Sequence, residues 1–69
     1  MTVLKNKLRS CRKDRGDTQA SFAEELGVSR QTINAIENGK YNPSLELAIK
    51  ISRLVGKPVH EIFFLPKDS

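Results

Sequence analysis

The hydrophobic residues of this 69-residue chain recur three and four positions apart along most of its length, which is the period of an amphipathic helix. Near the N-terminus, the positions that share one face are Leu4, Leu8, Cys11 and Arg15. Gly16 ends this pattern, because glycine readily takes the left-handed conformation that closes a helix. No stretch of useful length alternates between apolar and polar residues. The pattern therefore predicts an essentially all-α fold whose first helix includes Leu4.

Four further helices are predicted downstream, each by a residue suited to cap its start and a residue suited to end it. Serine and threonine side chains accept a hydrogen bond from the first turn of a helix, and glycine closes the last turn. The start and end residues are Thr18 and Gly27 for the second helix, Ser29 and Gly39 for the third, and Ser44 and Gly56 for the fourth. Pro58 suits the first position of a short fifth helix. The inward residues of that helix would be Val59, Ile62 and Phe63.

The composition is that of one small globular domain, spanning residues 1–69. Hydrophobic residues make up 38% and charged residues 29%, which is ordinary for such domains. No apolar run approaches the ~20 residues that cross a bilayer, and the N-terminal residues lack the apolar region of a secretory signal. We therefore expect a cytoplasmic protein with no membrane partner. The single cysteine, Cys11, excludes an intramolecular disulfide.

Positive charge is concentrated at the N-terminus. The formal net charge is +4, and residues 1–16 carry six basic side chains against one acidic side chain. Such a segment is typical of an electrostatic footprint for nucleic acid. It is also typical of a solvated helix face, which charge alone favours, so both interpretations stay open.

The joint between the second and third helices is unusually short. Between Leu26 and Ser29 there is room only for a turn of three to four residues centred on Gly27. So short a joint forces two helices to cross steeply, as in a helix-turn-helix. Because tight glycine corners also occur in other small helical domains, the joint does not distinguish a DNA-binding unit from a purely structural corner.

The third helix has two unequal faces. At about 100° per residue, Ile33 and Ile36 fall within about 40° of Ser29 and form the buried side. The opposite side carries Arg30, Gln31, Asn34, Ala35 and Asn38. Asparagine fits a helix interior poorly, whereas amides pair with adenine and arginine with guanine in the major groove of DNA. This face therefore predicts base recognition.

Two blocks of the sequence carry a family resemblance. The segment "TQASFAEELGVSRQTINAIENGKYNPSLELAIKI", which includes the block "ENGKYNPS", resembles the Xre or phage-repressor-like helix-turn-helix regulators. Gln19, Ala23, Gly27, Ile33 and Ile36 match the residue types that this family has at the corresponding positions of its two-helix unit. The resemblance covers about Leu8 to Phe63. It implies a compact five-helix lambda-repressor-like domain with its helix-turn-helix at about residues 18–38.

The resemblance also implies roles for individual residues. The positions that match base-contacting sites are Arg30, Gln31, Asn34 and Ala35. The positions expected to contact DNA phosphates are Thr18, Gln19, Ser29, Thr32, Asn38, Lys40 and Asn42. The family often joins the positions of Arg12 and Glu37 in a salt bridge. Where the family frequently has glutamate, this chain has Ser21, which predicts a weakened capping box with Thr18; Asp17 would place a negative charge near the phosphate site.

The C-terminal segment suggests a partner surface. If Phe63 faces inward, Phe64 and Leu65 cannot share its side at helical spacing, so both are candidates for a dimer interface at residues 58–66. The alternative is that the chain turns there and both residues cover the edge of the core. The resemblance implies dimerisation through the last helices and tail, with a terminal β-pairing of "MTVL" and "FFLP" in some members.

The sequence thus predicts a homodimeric transcriptional regulator, in particular a repressor, that binds double-stranded DNA at a pseudo-palindromic operator. A different class of function is a protein-interaction adaptor, such as an antitoxin or coactivator module with the same fold. No catalytic grouping is supported by a local motif, and His60 has no companion ligand, so we expect neither an enzyme nor a metal site. No cofactor or small-molecule ligand is evident.

Overall fold

The computed structural model describes residues 2–66. It contains five helices and two short strands, which confirms the predicted five-helix class with a terminal β-pairing. In chain order these are β1 (Lys5–Asn6), α1 (Leu8–Asp14), α2 (Gln19–Leu26), α3 (Arg30–Glu37), α4 (Leu45–Val55), α5 (Val59–Ile62) and β2 (Phe63–Phe64). No helix within these described residues is both long and apolar enough to cross a membrane.

The start of the first helix differs from the prediction. The helix begins at Leu8 rather than including Leu4, because the preceding residues form β1, which pairs antiparallel with β2. The register joins Lys5 to Phe64. The predicted pairing joined "MTVL" to "FFLP". In the structure the C-terminal strand lies within the predicted segment, whereas the N-terminal strand is Lys5–Asn6, immediately after "MTVL". Periodicity could not indicate it, because the strand's partner lies at the other end of the chain.

The three polar caps form as predicted. The hydroxyls of Thr18, Ser29 and Ser44 each accept a hydrogen bond from the backbone N–H three residues later. The expected weakening of the first cap is wrong. The Ser21 hydroxyl accepts from the Thr18 N–H at 3.0 Å while Thr18 Oγ1 accepts from the Ser21 N–H at 3.0 Å. Serine therefore closes the capping box in place of the longer glutamate.

One hydrophobic core receives residues from every helix. Its buried members are Leu8, Cys11, Phe22, Ala23, Leu26, Ile33, Ile36, Leu47, Ala48, Ile51, Ile62 and Phe63. The prediction that Ile62 and Phe63 face inward is confirmed, although Phe63 lies in β2 rather than in the fifth helix, and Val59 is partly buried against the same cluster. Because Ile33 and Ile36 are both buried in this core, the opposite face of α3 is directed away from it.

Candidate nucleic-acid interface

The joint between α2 and α3 has a defined geometry. Gly27 ends α2 with a φ of 73°, in the left-handed region that favours glycine. The Val28 N–H then donates to the Ala23 carbonyl at 3.0 Å. Val28 packs against the core and Ser29 caps α3, so the entry of α3 is fixed on both sides of the turn.

The outward face of α3 carries the side chains predicted to contact bases. Arg30, Gln31 and Asn34 are exposed, and Ala35 is half-buried beside them. This face therefore presents one guanidinium, two amides and one small apolar residue to solvent. A guanidinium and amides offer the donors and acceptors that the major groove of DNA complements.

The residues predicted to contact phosphate lie mainly around the starts of α2 and α3 and the end of α3. The side chains of Thr18 and Ser29 cap the two helices, and the hydroxyls of Ser29 and Thr32 are 2.9 Å apart. Gln19 occupies the first position of α2, and Asn38 and Lys40 are exposed beyond the end of α3. The first backbone N–H groups of any helix lack partners within the helix, and they favour an anion there.

Asn42 differs from the other predicted phosphate contacts. Its Oδ1 atom accepts from the Leu4 N–H at 2.7 Å, and its Nδ2 atom donates to the Thr2 carbonyl at 3.1 Å. Both ends of this amide therefore hold the N-terminal segment beside the loop before α4.

Arg12 and Glu37 form a buried ion pair between α1 and α3. Arg12 Nε donates to Glu37 Oε2 at 2.7 Å, and Arg12 Nη2 donates to Oε1 at 3.2 Å. The side chain of Arg12 is 10% exposed and that of Glu37 is 0% exposed. A third bond from Arg12 Nη1 reaches the Asp17 carbonyl at 2.9 Å. The pair fixes the end of α3 against α1 and the start of α2.

The ion pair changes the protonation behaviour of both partners. Burial alone raises the pKa of Glu37, but hydrogen bonds from Arg12 and Gln19 outweigh it, so the pKa lies below its ordinary value. The hydrogen bond to Glu37 raises the pKa of Arg12 despite its desolvation. Both groups are therefore charged in the folded protein at neutral pH.

Arg15 has a structural role that the helical pattern did not indicate. Its Nε atom donates to Asp17 Oδ2 at 2.9 Å, Nη2 to Glu25 Oε2 at 2.7 Å, and Nη1 to the Leu54 carbonyl at 3.0 Å. The hydrogen bond from Arg15 lowers the pKa of Asp17, so this carboxylate is ionised and compensated. Arg12 and Arg15 are thus both paired with carboxylates of the protein itself, Arg12 in a buried position and Arg15 on the surface, which reduces the basic footprint of the N-terminal segment.

Arg9 is a candidate site residue that the sequence did not single out. Its Nε atom lies 3.3 Å from Glu37 Oε1 and its Nη2 atom donates to Asn38 Oδ1 at 3.0 Å. The side chain is 52% exposed, so a positive charge lies beside the end of α3. A signal was present, because Arg9 precedes Arg12 by three residues and so lies on the same side of α1.

Comparisons with known proteins agree with this geometry. A helix-turn-helix family model matches residues 8–62. An uncharacterized HTH-type transcriptional regulator of Methanocaldococcus jannaschii is 51% identical over 94% of this chain and 98% of its own. The cryptic phage CTXphi transcriptional repressor RstR of Vibrio cholerae is 32% identical over 87% of this chain and 54% of its own length.

A solved structure has the same fold. The hypothetical transcription factor NHTF from Neisseria aligns with a TM-score of 0.73 and 23% identity, over 88% of this chain and 70% of that protein. The family model covers all five helices, and the relative from Methanocaldococcus jannaschii matches almost end to end. The chain therefore belongs to the helix-turn-helix family of DNA-binding transcriptional regulators.

Proposed function

We propose that this protein is a sequence-specific regulator that binds double-stranded DNA as a homodimer and represses transcription at a pseudo-palindromic operator. The observation that carries the proposal is the division of α3 into two faces. Ile33 and Ile36 anchor one face in the core, while Arg30, Gln31 and Asn34 are exposed on the other. A helix held in this way at a helix-turn-helix joint is suited to enter the major groove.

Each exposed side chain of α3 has a complementary base. Arginine pairs bidentately with guanine, and glutamine or asparagine with adenine. Ala35 leaves room for close approach and offers a methyl group that fits a thymine methyl. Arg30, Gln31, Asn34 and Ala35 would therefore specify the sequence, with at least one G and one A in each half-site.

Contacts with phosphates would hold this helix in register. The starts of α2 and α3 offer backbone N–H groups near Thr18, Gln19 and Ser29, and Thr32 lies one turn further along α3. Asn38 and Lys40 follow the other end of α3. Such contacts position a protein on DNA without specifying the sequence. Asn42 would serve this interface indirectly, through the loop that its amide ties to the N-terminal segment.

Exposed apolar residues support a dimer. Leu65 is 65% exposed immediately after β2, and Phe64 is half-buried within it. The antiparallel register places the tail beside the N-terminal segment, which Asn42 connects to the start of α4. On α4, Leu45 is 75% exposed and Ile49 is 46% exposed on the same side. Apolar surface of this kind indicates an interaction site.

A two-fold dimer would present two recognition helices about 34 Å apart, which matches one turn of DNA. The same surface on both copies would form the contact, as in most symmetric dimers. Bound across a promoter, such a dimer would block polymerase without further machinery, and a phage repressor is among the relatives of the chain. The polar face of α3 favours this function over a protein-interaction adaptor, because a protein-docking surface would be more apolar at its centre.

Salt-dependent DNA binding tests the proposal. We expect the logarithm of the association constant to fall linearly with the logarithm of salt concentration, by about 0.9 for each phosphate neutralised. DNA selected from a random pool should bind at least about 10³-fold more tightly than unselected DNA. The control is the same titration with Arg30→Ala on both DNAs. Failure of the parent protein to bind DNA at about 50 mM salt would contradict the proposal.

A further inference from the structure

A continuous series of hydrogen bonds connects Arg9 to Glu37 through three side-chain amides. Arg9 Nη2 donates to Asn38 Oδ1 at 3.0 Å, and Asn38 Nδ2 donates to Asn34 Oδ1 at 3.1 Å. Asn34 Nδ2 then donates to Gln19 Oε1 at 3.4 Å, and Gln19 Nε2 donates to Glu37 Oε1 at 3.1 Å. We call Asn38, Asn34 and Gln19 the amide chain. With Arg9 at one end and Glu37 at the other, it connects α1, α2 and α3 next to the exposed face of α3.

The two ends of the amide chain have opposite and fixed hydrogen-bonding character. A guanidinium only donates, and an ionised carboxylate only accepts. Each amide between them must therefore direct its oxygen toward Arg9 and its nitrogen toward Glu37. If Asn34 alone were reversed, its nitrogen would face the Asn38 nitrogen and its oxygen would face the Gln19 oxygen. Both contacts would then be repulsive.

The orientation of an amide determines which base edge it can read. Adenine offers an N6 donor and an N7 acceptor in the major groove, in a fixed order. If the side-chain amide of asparagine is rotated by 180° about its last bond, it keeps the same shape. Its N–H group then faces the N6 donor of adenine and its oxygen faces the N7 acceptor. One N–H and one lone pair of Asn34 are used in the amide chain, which leaves a second N–H and a second lone pair for a base.

We propose that Arg9 and Glu37 are positioning residues that set the base preference of Asn34 by fixing the orientation of the amide chain. Neither residue needs to contact a base. Glu37 is held by Arg12 as well, and its side chain is fully buried. Arg9 is half-exposed and acts as the donor that begins the series. The inference rests on the proposed function, because it assigns a role to Asn34 in base reading.

Arg9→Met tests the inference, because methionine keeps an unbranched apolar stem and removes every donor. Asn38 Oδ1 then loses its donor, so the direction of the amide chain is held from the Glu37 end alone, through the 3.4 Å bond from Asn34 Nδ2 to Gln19 Oε1. Lys13→Met is the matched control, since it removes one positive charge from an exposed position of α1. Neither change removes a buried side chain, so both variants should unfold at a temperature close to that of the parent protein.

The first measurement is base preference, obtained by binding each variant to operators that differ at single positions. Asn34→Ala identifies the base that Asn34 reads, where the parent should discriminate by about 5- to 150-fold. We expect Arg9→Met to lose part of this discrimination at that base alone, because the bond from Asn34 to Gln19 remains. Lys13→Met should keep it, although both variants bind all DNA more weakly. Full discrimination in Arg9→Met, or an equal loss at every base, would overturn the inference.

The second measurement needs no DNA and follows exchange with water of the side-chain N–H groups by NMR. The Asn34 and Asn38 groups should exchange faster in Arg9→Met than in the parent protein and Lys13→Met. Equal exchange in all three proteins would also overturn the inference. If the parent binds DNA with sequence preference and only the Arg9→Met result fails, the proposed function stands. If the parent binds no DNA, the proposed function and the base-reading role fail together.

Discussion

The Nε atom of Arg12 lies 2.7 Å from Oε2 of Glu37, and this contact joins α1 to α3. The two residues are 25 positions apart in the chain. Since the Glu37 side chain is fully buried, its negative charge is stabilised by hydrogen-bond donors of the protein rather than by water. The position of α3 against the rest of the domain therefore depends on a polar contact as well as on the burial of Ile33 and Ile36.

We expect Arg12→Ala to lower the free energy of unfolding by about 3–5 kcal/mol, because it leaves a buried carboxylate without its main partner. Urea denaturation measures the change. Lys50→Ala is the control: Lys50 pairs with Glu46 at 3.0 Å, but their side chains are 53% and 78% exposed. It should cost about 0.5 kcal/mol or less. Equal losses in the two variants would contradict the role assigned to the buried pair.

The stability of the protein should fall in acid because of Glu37. Its pKa is lowered in the folded state, since the hydrogen bonds from Arg12 and Gln19 outweigh burial. A lowered folded pKa gives a contribution that is full above the unfolded pKa of about 4.3 and is lost as the pH falls through the folded value. Urea midpoints measured down to about that pH and below should show the loss. Glu37→Gln should be less stable at neutral pH, and its free energy of unfolding should depend less on pH in the acid range. If that dependence is unchanged, the loss of stability in acid belongs to other carboxylates, such as Asp17 beside Arg15.

Substitutions on α3 and after it should separate base reading from phosphate binding. Arg30→Ala and Gln31→Ala should each cost about 1–3 kcal/mol of binding to the preferred operator and relax the preference at one base. Lys40→Ala should weaken all sequences alike and reduce the salt slope by about 1. Binding to a panel of single-base operator variants checks both expectations. An unaltered base preference in Arg30→Ala would remove Arg30 from the recognition surface.

A charge in the C-terminal tail should disrupt the proposed dimer. Leu65→Asp introduces a carboxylate at a position where the leucine is 65% exposed and lies outside the core. We therefore expect the mass of a monomer by light scattering, with little change in the folding of the monomer. Leu65 tests the interface more cleanly than Phe64, which is half-buried in β2 and lies with its ring 5.9 Å from Lys7 Nζ. Leu45→Asp provides the comparison on α4. If Leu45→Asp breaks the dimer and Leu65→Asp does not, the interface lies on α4 rather than on the tail.

The sequence by itself determined the features that depend on neighbouring residues. The caps at Thr18, Ser29 and Ser44 use hydrogen bonds that span three residues, and Gly27 and Gly56 end their helices through their own backbone freedom. The two faces of α3 follow from the helical period, which is also local. These interactions lie within one or two turns of the chain, so the pattern of residue types was sufficient to predict them.

Only the tertiary structure decided which distant residues meet. Leu4 lies outside α1 because β1 pairs with β2, and the amide of Asn42 is occupied by backbone groups 38 and 40 residues away. Arg15 reaches the Leu54 carbonyl, and Arg9 reaches Asn38 across a separation of 29 residues. Such contacts form only when packing of the apolar faces brings the helices together. Residue type shows that Arg9 is able to donate a hydrogen bond, but the relative position of α1 and α3 determines which acceptor it meets.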